Sequence, residues 1–288
     1  MTPKDEAPRQ PDDQAARAAE SRLCAILSAT GPWAIAVSGG VDSVTLATVA
    51  HRANLPVPPV MMHAVSPAVP STARPRLEAL ARAEGWRFKI LSAGELEDPR
   101  YRANPYNRCY FCKSNLYGSM LTQLSGQLDR HHLLASGANT DDLGDYRPGL
   151  IAAAEAGVRH PLIEAGIGKP LVRAIARLHG LAEVSELPAQ PCLASRVETG
   201  LRIEPEALTF IDRLEARLRE KIGPHETLRV RLRRKGVVVE LDAALCADPD
   251  LARRVARTAR ESCSTQGYLY AGLQPYRRGS AFVDPMEA

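Results

Sequence analysis

The stretch from Ala34 to Ala50 constrains the fold more than any other part of the chain. It reads AIAVSGGVDSVTLATVA, which is a short apolar run, two glycines and then apolar residues at helical spacing. This order predicts a buried strand, a tight turn at Gly39 and Gly40, and a helix that begins at the turn. Backbone N–H groups at such a turn converge in front of the helix dipole, so the turn can bind a phosphate without a lysine. The alternative is an ordinary glycine-rich strand-to-helix turn.

Apolar segments alternate with helical ones along the first two thirds of the chain. We expect strands at 34–37, 57–64, 86–91 and 132–136, and helices at 15–27, 41–50, 74–83, 113–124, 149–156 and 169–179. The alternation predicts an α/β fold with a doubly wound parallel sheet, in which ligands bind beyond the carboxyl ends of the strands. Ser38, Gly137 and Asp142 fall at those ends.

The pattern changes beyond an irregular segment at 187–201. A helix at 206–222, strands at 228–233 and 237–241, a helix ending at 262 and a last strand at 268–273 predict a small C-terminal α/β domain. We therefore expect a flexible N-terminal segment at 1–20, a main domain at 21–203 and the small domain at 204–288. A chain of 288 residues with 45% apolar content can bury a core of that size.

Composition argues against two classes of partner. No segment is long and apolar enough to span a membrane, and the polar start MTPKDEAPRQPDDQ has no secretory apolar region, so we expect a cytoplasmic protein without a membrane partner. A net charge of +4 and 5% aromatic residues do not give the basic, aromatic surface that nucleic acid requires. We expect no nucleic-acid partner.

Six cysteines in such a chain favour thiols, metal ligands or catalytic groups over a disulfide framework. Cys109 and Cys112 form a CxxC in NPYNRCYFCKSNLY, where Cys112 opens an apparent helix, and Cys192 lies in PAQPCLASR. A CxxC alone is also typical of a zinc site or a redox pair. The three other cysteines lie in apolar helical settings that are typical of core residues, namely Cys24, Cys246 and Cys263.

The chain contains neither the P-loop motif GxxxxGK[ST] nor the dinucleotide-binding motif GxGxxG, so these two classes of nucleotide site are not supported. SGGVDS resembles the signature of the PP-loop ATP pyrophosphatases, which cleave ATP between the α and β phosphates. The resemblance implies Mg²⁺ near Asp42 and pyrophosphate bound by the whole motif, that is by Ser38, Gly39, Gly40, Val41, Asp42 and Ser43. Gly137 and Asp142 are further ATP-site candidates, although Asp142 could instead cap a turn. His63 could abut adenine or be a packed core histidine.

Five segments in order carry a narrower resemblance, namely SGGVDS, NRCYFCK, GANTDDLGDYRPG, PLIEAGIGK and PCLASR. Together they are similar to the LarE family, the ATP-dependent sulfur-insertion proteins of nickel-pincer nucleotide cofactor synthesis, over about residues 20–280. The resemblance implies that each carboxylate of pyridinium-3,5-dicarboxylate mononucleotide is adenylated and then converted to a thiocarboxylate. ATP, Mg²⁺, a sulfide donor and this nucleotide are the implied ligands, and a homo-oligomer is the implied state.

The sulfur source depends on the three site cysteines. Family members with a single site cysteine give up that cysteine's own sulfur, and Cys192 matches its position. With Cys109 and Cys112 added, the set resembles the branch that holds a [4Fe–4S] cluster, in which one iron lacks a protein thiolate. We expect a sulfide carried on such a three-cysteine cluster, with Cys192 as sacrificial donor as the alternative.

Charged residues complete the candidate site. Lys113 could stabilise the adenylate phosphate or a developing oxyanion, or be an exposed helix-start lysine. Arg196 shares the Cys192 loop, so we expect it to take part in catalysis. Arg229 and Arg231 alternate along a strand and share one face, which could grip the substrate phosphate or be solvated.

Two rival functions use the same first step. A PP-loop tRNA thiolase would thiolate RNA after adenylation, but the chain shows no zinc ribbon and no dense basic face. In an amide ligase of the NAD synthetase type, ammonia would attack the adenylate and the cysteines would be incidental. The product distinguishes the three possibilities.

Overall fold

A computed structural model describes residues 12–127, 132–144, 147–188, 191–223 and 226–282. The strands are β1 Trp33–Ala36, β2 Val60–Val65, β3 Arg87–Ser92, β4 Leu133–Ser136, β5 Leu228–Arg233, β6 Gly236–Leu241 and β7 Tyr270–Pro275. The helices are α1 Asp13–Ala29, α2 Val41–Arg52, α3 Ala73–Glu84, α4 Pro99–Arg102, α5 Arg108–Gln127, α6 Pro148–Glu155, α7 Pro161–Glu164, α8 Lys169–Leu178, α9 Ala182–Ser185, α10 Pro205–Ile222, α11 Ala243–Ala247 and α12 Pro249–Thr265. Short 3₁₀ helices lie at Glu95–Glu97, Thr140–Gly144 and Leu193–Arg196.

The first sheet confirms the predicted α/β fold class. Its strand order is β3-β2-β1-β4, and β1 pairs in parallel with a strand on either side. Ala34 at the centre of β1 lies opposite Val60 of β2 and Leu134 of β4. All three residues are buried, as expected in a parallel sheet that is covered on both faces. Parallel pairing places the carboxyl ends of β1, β2 and β4 at one edge.

The chain divides into two compact units. Unit 1 consists of Met1–Ala64, Arg74–Leu91 and Tyr117–Leu187, and unit 2 consists of Val65–Ala73, Ser92–Leu116 and Pro188–Ala288. We had expected a boundary at residue 203, whereas unit 2 begins its last segment at Pro188 and takes in two earlier segments. These segments join it because they contribute to its core, in which Ala68 and Tyr101 are clustered with Leu193 and Val230.

Unit 1 has a core built on β1. Trp33 of β1, Leu23 of α1, Val44 of α2 and Ile175 of α8 are completely buried in one apolar cluster. The indole of Trp33 also donates its Nε1–H to the carbonyl oxygen of Leu27 at 2.9 Å, so its polar atom is satisfied inside the core. The sheet and these helices therefore form a rigid base for the turn that follows β1.

Unit 2 contains a second, smaller sheet of order β5-β6-β7, packed against α10 and α12. β5 and β6 are antiparallel, whereas β6 and β7 are parallel. Gly236 opens β6 with φ of 119°, and a Cβ atom there would lie 2.5 Å from the carbonyl oxygen of Leu269. The close approach of two backbones explains why this position is a glycine.

Two helices begin earlier than expected. Helix α1 begins at Asp13, inside the segment that we expected to be flexible to residue 20. The Asp12 side chain accepts from the N–H of Ala15 at 2.7 Å and so caps the start of the helix. Residues 1–11, which that prediction also covers, lie outside the described residues. Helix α5 begins at Arg108 rather than at 113, following a turn in which its N–H donates to the carbonyl of Pro105. Both cysteines of the CxxC are therefore helical.

The remaining expected elements are present with ends shifted by a few residues, and the 187–201 segment includes the 3₁₀ turn at Leu193–Arg196. Among the described residues, no helix combines the length and the apolar character needed to cross a membrane.

Gly137 follows β4 and approaches the backbone of α2 closely. A Cβ atom on Gly137 would lie 2.7 Å from both the N and the Cα atoms of Ser43. We predict that Gly137→Ala lowers the free energy of unfolding by about 1–3 kcal/mol, because the backbone must move to admit the methyl group. In the matched control Gly118→Ala, on an exposed helix position where nothing lies within 4 Å, we expect a gain of up to about 1 kcal/mol. Urea denaturation measures both, and equal effects would contradict the packing explanation.

Candidate active site

The turn after β1 has the geometry of a phosphate-binding loop. Gly39 has φ of 87°, a conformation that residues with a side chain rarely adopt. The Ser43 hydroxyl accepts from the N–H of Ser38 and donates to the carbonyl of Gly40, each at 3.1 Å, so it closes the turn from within. Helix α2 begins directly afterwards at Val41. Its first N–H groups have no intrahelical acceptor, which is the usual setting for an anion.

Asp42, in the first turn of α2, is held at both carboxylate oxygens. Asn139 donates from Nδ2 to Oδ1 at 3.0 Å, and the ammonium group of Lys169 forms a short ion pair with Oδ2. Asn139 follows β4, and Lys169 opens α8. Sequence reasoning did not single out Asn139 or Lys169, although both lie in segments that it quoted, GANTDDLGDYRPG and PLIEAGIGK.

Asp142 helps to shape the turn that presents Asn139. Its Oδ2 accepts from the N–H of Asn139 at 3.0 Å, and its Oδ1 pairs with Arg147 at 2.9 Å. The neighbouring Asp141 accepts from the backbone N–H of Lys169 at 2.9 Å. These contacts match the turn-capping alternative, while a part for Asp142 in ATP binding stays a prediction.

Arg76 and His63 also contact the backbone of this turn. Arg76 on α3 donates to the carbonyl oxygen of Gly39 at 3.0 Å. Burial lowers the pKa of the Arg76 guanidinium. Sequence reasoning did not identify this residue. His63 is 1% exposed, and its Nδ1 lies 2.8 Å from the carbonyl of Val37, which can only accept. Burial lowers the pKa of His63, so it is a neutral, packed histidine with the proton on Nδ1. Contact with adenine stays a prediction.

The three candidate cysteines all belong to unit 2. Cys109 and Cys112 are three residues apart in the first turns of α5, and Cys192 directly precedes the 3₁₀ turn at Leu193–Arg196. Cys112 and Cys192 both pack against the apolar core of the unit. Burial raises the pKa of Cys112 to about 12, the charge of Lys113 opposes that rise, and Cys192 and Cys109 add to it. The thiols of Cys192 and Cys109 therefore both act on the ionisation of Cys112.

Thiols are the ligands that iron–sulfur clusters use, so this donor set fits such a cluster in kind. Among the described residues, however, no three His, Cys, Asp or Glu side chains are gathered as a group that could hold a metal ion. Cys109, Cys112 and Cys192 are thus neighbours that would have to draw together around a cluster.

Arg196 fixes the loop that carries Cys192. It is 2% exposed, and its Nε and Nη2 donate to the carboxylate of Glu215 at 3.0 and 3.2 Å. Its Nη1 donates to the carbonyl oxygens of Pro191 and Cys192 at 2.6 and 3.1 Å. The structure gives Arg196 a positioning contact to the loop; its predicted catalytic role stays a prediction.

Arg229 and Arg231 share a buried face of β5, with exposures of 5% and 4%, so the solvated-face alternative was wrong. Arg231 pairs with Glu240 at 2.9 Å and donates to the carbonyl of Ser195 at 3.0 Å. Burial, reinforced by Arg196, lowers the pKa of Arg229 to about 10. Its Nη1 donates to the carbonyl oxygen of Leu228 at 2.7 Å, and its guanidinium lies 5.7 Å from the centre of the Tyr276 ring. Binding of the substrate phosphate by Arg229 and Arg231 stays a prediction.

Comparison with known proteins identifies relatives of this chain. An uncharacterized protein of Synechocystis sp. is 42% identical over 207 residues, which are 72% of this chain and 75% of that protein. The chain belongs to the same family as this protein. No family model matches the chain.

Two other relatives in this comparison are more distant. An uncharacterized protein of Methanocaldococcus jannaschii is 31% identical over 139 residues, 48% of this chain and 52% of that protein. The pyridinium-3,5-bisthiocarboxylic acid mononucleotide synthase of Lactiplantibacillus plantarum is 30% identical over 170 residues, 59% of this chain and 60% of the synthase. The chain thus covers less than two thirds of each of these two proteins. The chain is similar to the synthase over this region.

The Arg196–Glu215 pair is expected to dominate the stability of the Cys192 loop. Glu215→Ala leaves the guanidinium buried without its carboxylate, so we predict a loss of about 3–5 kcal/mol in the free energy of unfolding. The control is Glu198→Ala, which removes the partner of the exposed Arg234 and should cost less than about 1 kcal/mol. Denaturation with guanidinium chloride measures both. A loss below 1 kcal/mol for Glu215→Ala would show that the pair does not hold the loop.

Asp98 anchors helix α5 near its cysteines and gives the stability a pH dependence. Its Oδ2 accepts from Asn115 at 2.9 Å, and hydrogen bonds from Arg100 lower its pKa from 3.8 to about 2. Because the folded pKa is the lower one, this stabilisation is complete above pH 4 and is lost as the pH falls towards 2. We predict that Asp98→Asn flattens the fall in stability between pH 5 and pH 3 in acid-denaturation curves. A curve that parallels the wild type would contradict the assignment.

Proposed function

We propose that this chain is an ATP-dependent sulfurtransferase that adenylates the carboxylates of pyridinium-3,5-dicarboxylate mononucleotide and converts them to thiocarboxylates. The observation that carries the proposal is the glycine turn after β1 together with Asp42, whose two oxygens are fixed by Asn139 and Lys169. The likeness to the synthase of Lactiplantibacillus plantarum supports the choice of substrate. We include a cytoplasmic location and a homo-oligomeric state in the proposal.

Adenylation solves a chemical problem of the carboxylate. Attack on a free carboxylate would have to expel oxide, whereas attack on an acyl adenylate expels AMP. The N–H groups at Gly39 and Gly40 and the hydroxyl of Ser38 would bind the pyrophosphate that departs from ATP. Asp42 would hold Mg²⁺, which when bound neutralises phosphate charge.

Two cations beside this turn can add to pyrophosphate binding. Arg76 already contacts the carbonyl of Gly39, and Lys169 contacts Asp42, so both side chains lie within unit 1 next to the loop backbone. Lys169 would exchange the carboxylate for a phosphate oxygen when Mg²⁺ binds to Asp42, because one carboxylate oxygen cannot serve both cations equally. The proposal thus gives Arg76 and Lys169, which sequence reasoning did not assign, a part in the ATP step.

In unit 2, Arg229 would bind the substrate phosphate directly, because it is a cation on the buried face of β5 that it shares with Arg231. Arg231 already pairs with Glu240 and donates to the carbonyl oxygen of Ser195. It would keep these partners and hold the β5 face in position rather than bind the phosphate itself. This division of roles separates two arginines that the sequence pattern treats alike.

For the sulfur source, we propose a [4Fe–4S] cluster held by Cys109, Cys112 and Cys192. When bound, a cluster with three protein thiolates supplies an iron at which an additional sulfide can be held. Lys113 lies next to Cys112 and favours its thiolate, which is the form that binds iron. Sacrifice of the Cys192 sulfur is the alternative outcome of the test.

The ATP step is tested by pyrophosphate release. We predict that the wild type releases pyrophosphate from ATP only when the dicarboxylate nucleotide is present, and that Asp42→Asn lowers the rate about 100-fold or more. The matched control Asp212→Asn, at a half-buried carboxylate of unit 2 that accepts from the N–H of Ser71, should keep the wild-type rate. Release that does not depend on the nucleotide, or an amide formed from added ammonia, would overturn the proposal.

The sulfur source is tested on anaerobically purified protein by iron and sulfide analysis and by mass spectrometry after turnover. We predict about one cluster per chain, product formed with added sulfide, and an unchanged polypeptide mass. Cys192→Ser should lose both iron and product, whereas Cys263→Ser, at a buried cysteine of the core cluster of unit 2, should lose neither. A mass loss of one sulfur at Cys192 would establish the sacrificial route, and colourless protein with bound zinc would exclude the cluster.

A further inference from the structure

Asp42, Asn139, Asp141 and Lys169 form a closed ring of contacts beside the glycine turn of unit 1. The Asn139 amide donates from Nδ2 to the Asp42 carboxylate at 3.0 Å, and its Oδ1 accepts from the N–H of Asp141 at 3.0 Å. The Asp141 carboxylate accepts from the backbone N–H of Lys169 at 2.9 Å, and the Lys169 ammonium group completes the ring through its ion pair with Asp42. An ionised carboxylate only accepts and a backbone N–H only donates, so the orientation of the Asn139 amide within the ring is fixed.

Asp141 serves as the cap of helix α8 from a distant part of the chain. Gly168, at the N-cap position of α8, has no side chain to accept from the first N–H groups, and Pro170 has no N–H to donate. The Asp141 side chain, in the 3₁₀ turn after β4, accepts instead from Lys169, the first residue of the helix, across a separation of 28 residues. The residue that contacts Asp42 through its ammonium group is therefore held through its backbone by Asp141.

Gly168 leaves the space that this cap occupies. A Cβ atom on Gly168 would lie 2.9 Å from Oδ1 of Asp141 and 2.9 Å from Oγ1 of Thr140. The φ of Gly168 is −97°, which other residues adopt readily, so a side chain here is opposed by lack of space and not by backbone strain. The two segments are also joined by a hydrogen bond from the N–H of Thr140 to the carbonyl oxygen of Ile167 at 3.1 Å. A methyl group at Gly168 would thus displace the Asp141 carboxylate while the backbone contact stays.

We propose that Asp141 is a positioning residue for the ATP step, which holds the start of α8 so that the Lys169 ammonium group reaches Asp42 and the outer phosphates of ATP. This inference rests on the proposed function and adds to it the residue that orients Lys169. A lysine side chain is a point charge on a long flexible stem, and ordering it costs conformational entropy. A backbone that is already fixed lowers that cost, so the ammonium group binds a phosphate more strongly.

The Asp141 contact matters most after ATP has bound. In the proposed function, Lys169 exchanges its contact with Asp42 for one with a phosphate oxygen, so the ion pair no longer holds the side chain. The hydrogen bond from the Lys169 N–H to Asp141 does not involve Asp42 and is kept through the exchange. Asp141 is then the contact that keeps Lys169 beside the turn.

The test is calorimetric titration of the full-length chain with α,β-methylene ATP and Mg²⁺, since this analogue is not cleaved between its α and β phosphates. We expect Asp141→Ala to weaken binding of the analogue about tenfold, because Lys169 loses its anchor. Asp141→Asn keeps a side-chain oxygen that can accept from the Lys169 N–H, so it should bind within about threefold of the wild type. AMP has no β or γ phosphate for Lys169 to contact, so its affinity should be the same in all three proteins.

Gly168→Ala tests the same contact from the opposite side. It should weaken binding of the analogue about as much as Asp141→Ala does, and the double variant should bind no more weakly than either single variant, because both changes remove one contact. The matched control is Asp12→Ala, which removes the side-chain cap of α1 in the same unit. It should lower the melting temperature about as much as Asp141→Ala and bind the analogue as the wild type does.

Three results would overturn the inference. The first is wild-type affinity for the analogue in Asp141→Ala, and the second is an equal loss of AMP affinity in that variant, which would show general damage to the site. The third is binding by Asp141→Asn that is as weak as that of Asp141→Ala, because the charge of Asp141 would then matter rather than its cap. A wild type that binds the analogue but releases no pyrophosphate with the dicarboxylate nucleotide would count against the proposed function alone, and one that binds no analogue would overturn both.

Discussion

The contact between Asp42 and the two residues Asn139 and Lys169 fixes the geometry on which the proposed nucleotide site depends. Asp42 begins the helix after β1, Asn139 follows β4 and Lys169 begins α8, so one carboxylate joins three separate chain segments. Gly137 lets the end of β4 approach the α2 backbone closely. A Cβ atom at this position would lie 2.7 Å from the N and Cα atoms of Ser43, so a side chain would push the two segments apart. The parallel register of β1 and β4 makes this meeting possible, because it brings both carboxyl ends to one edge.

The local part of this site could be predicted from the sequence. Strand, turn and helix between Trp33 and Arg52 follow from periodicity and from two adjacent glycines, which act over a few residues. The partners of Asp42 could not, since they lie 97 and 127 residues further along the chain and no local pattern marks them. Arg76 was missed for the same reason, as its bond to Gly39 spans 37 residues.

The composition of unit 2 shows a second limit of sequence reasoning. Chain order predicted a terminal domain, but the segments Val65–Ala73 and Ser92–Leu116 also belong to the unit because apolar residues within them, such as Ala68 and Tyr101, are needed for its core. Similarly, the alternation of side chains along β5 predicted that Arg229 and Arg231 share a face, but it did not indicate whether that face is exposed to solvent or buried. Burial is decided by residues distant in sequence, here by the carboxylate of Glu240 on the paired strand.

Burial of the thiols in unit 2 creates a conflict that charged neighbours have to resolve. An acyl adenylate is lost to water unless sulfur captures it first, so sulfur chemistry favours a dry setting, and Cys112 and Cys192 border an apolar core. Burial also raises the pKa of Cys112 and so opposes the thiolate that the proposed reaction would require. A nearby cation restores the anion without admitting water. Lys113, which directly follows Cys112, supplies such a charge and opposes the rise in the pKa of this thiol that burial causes.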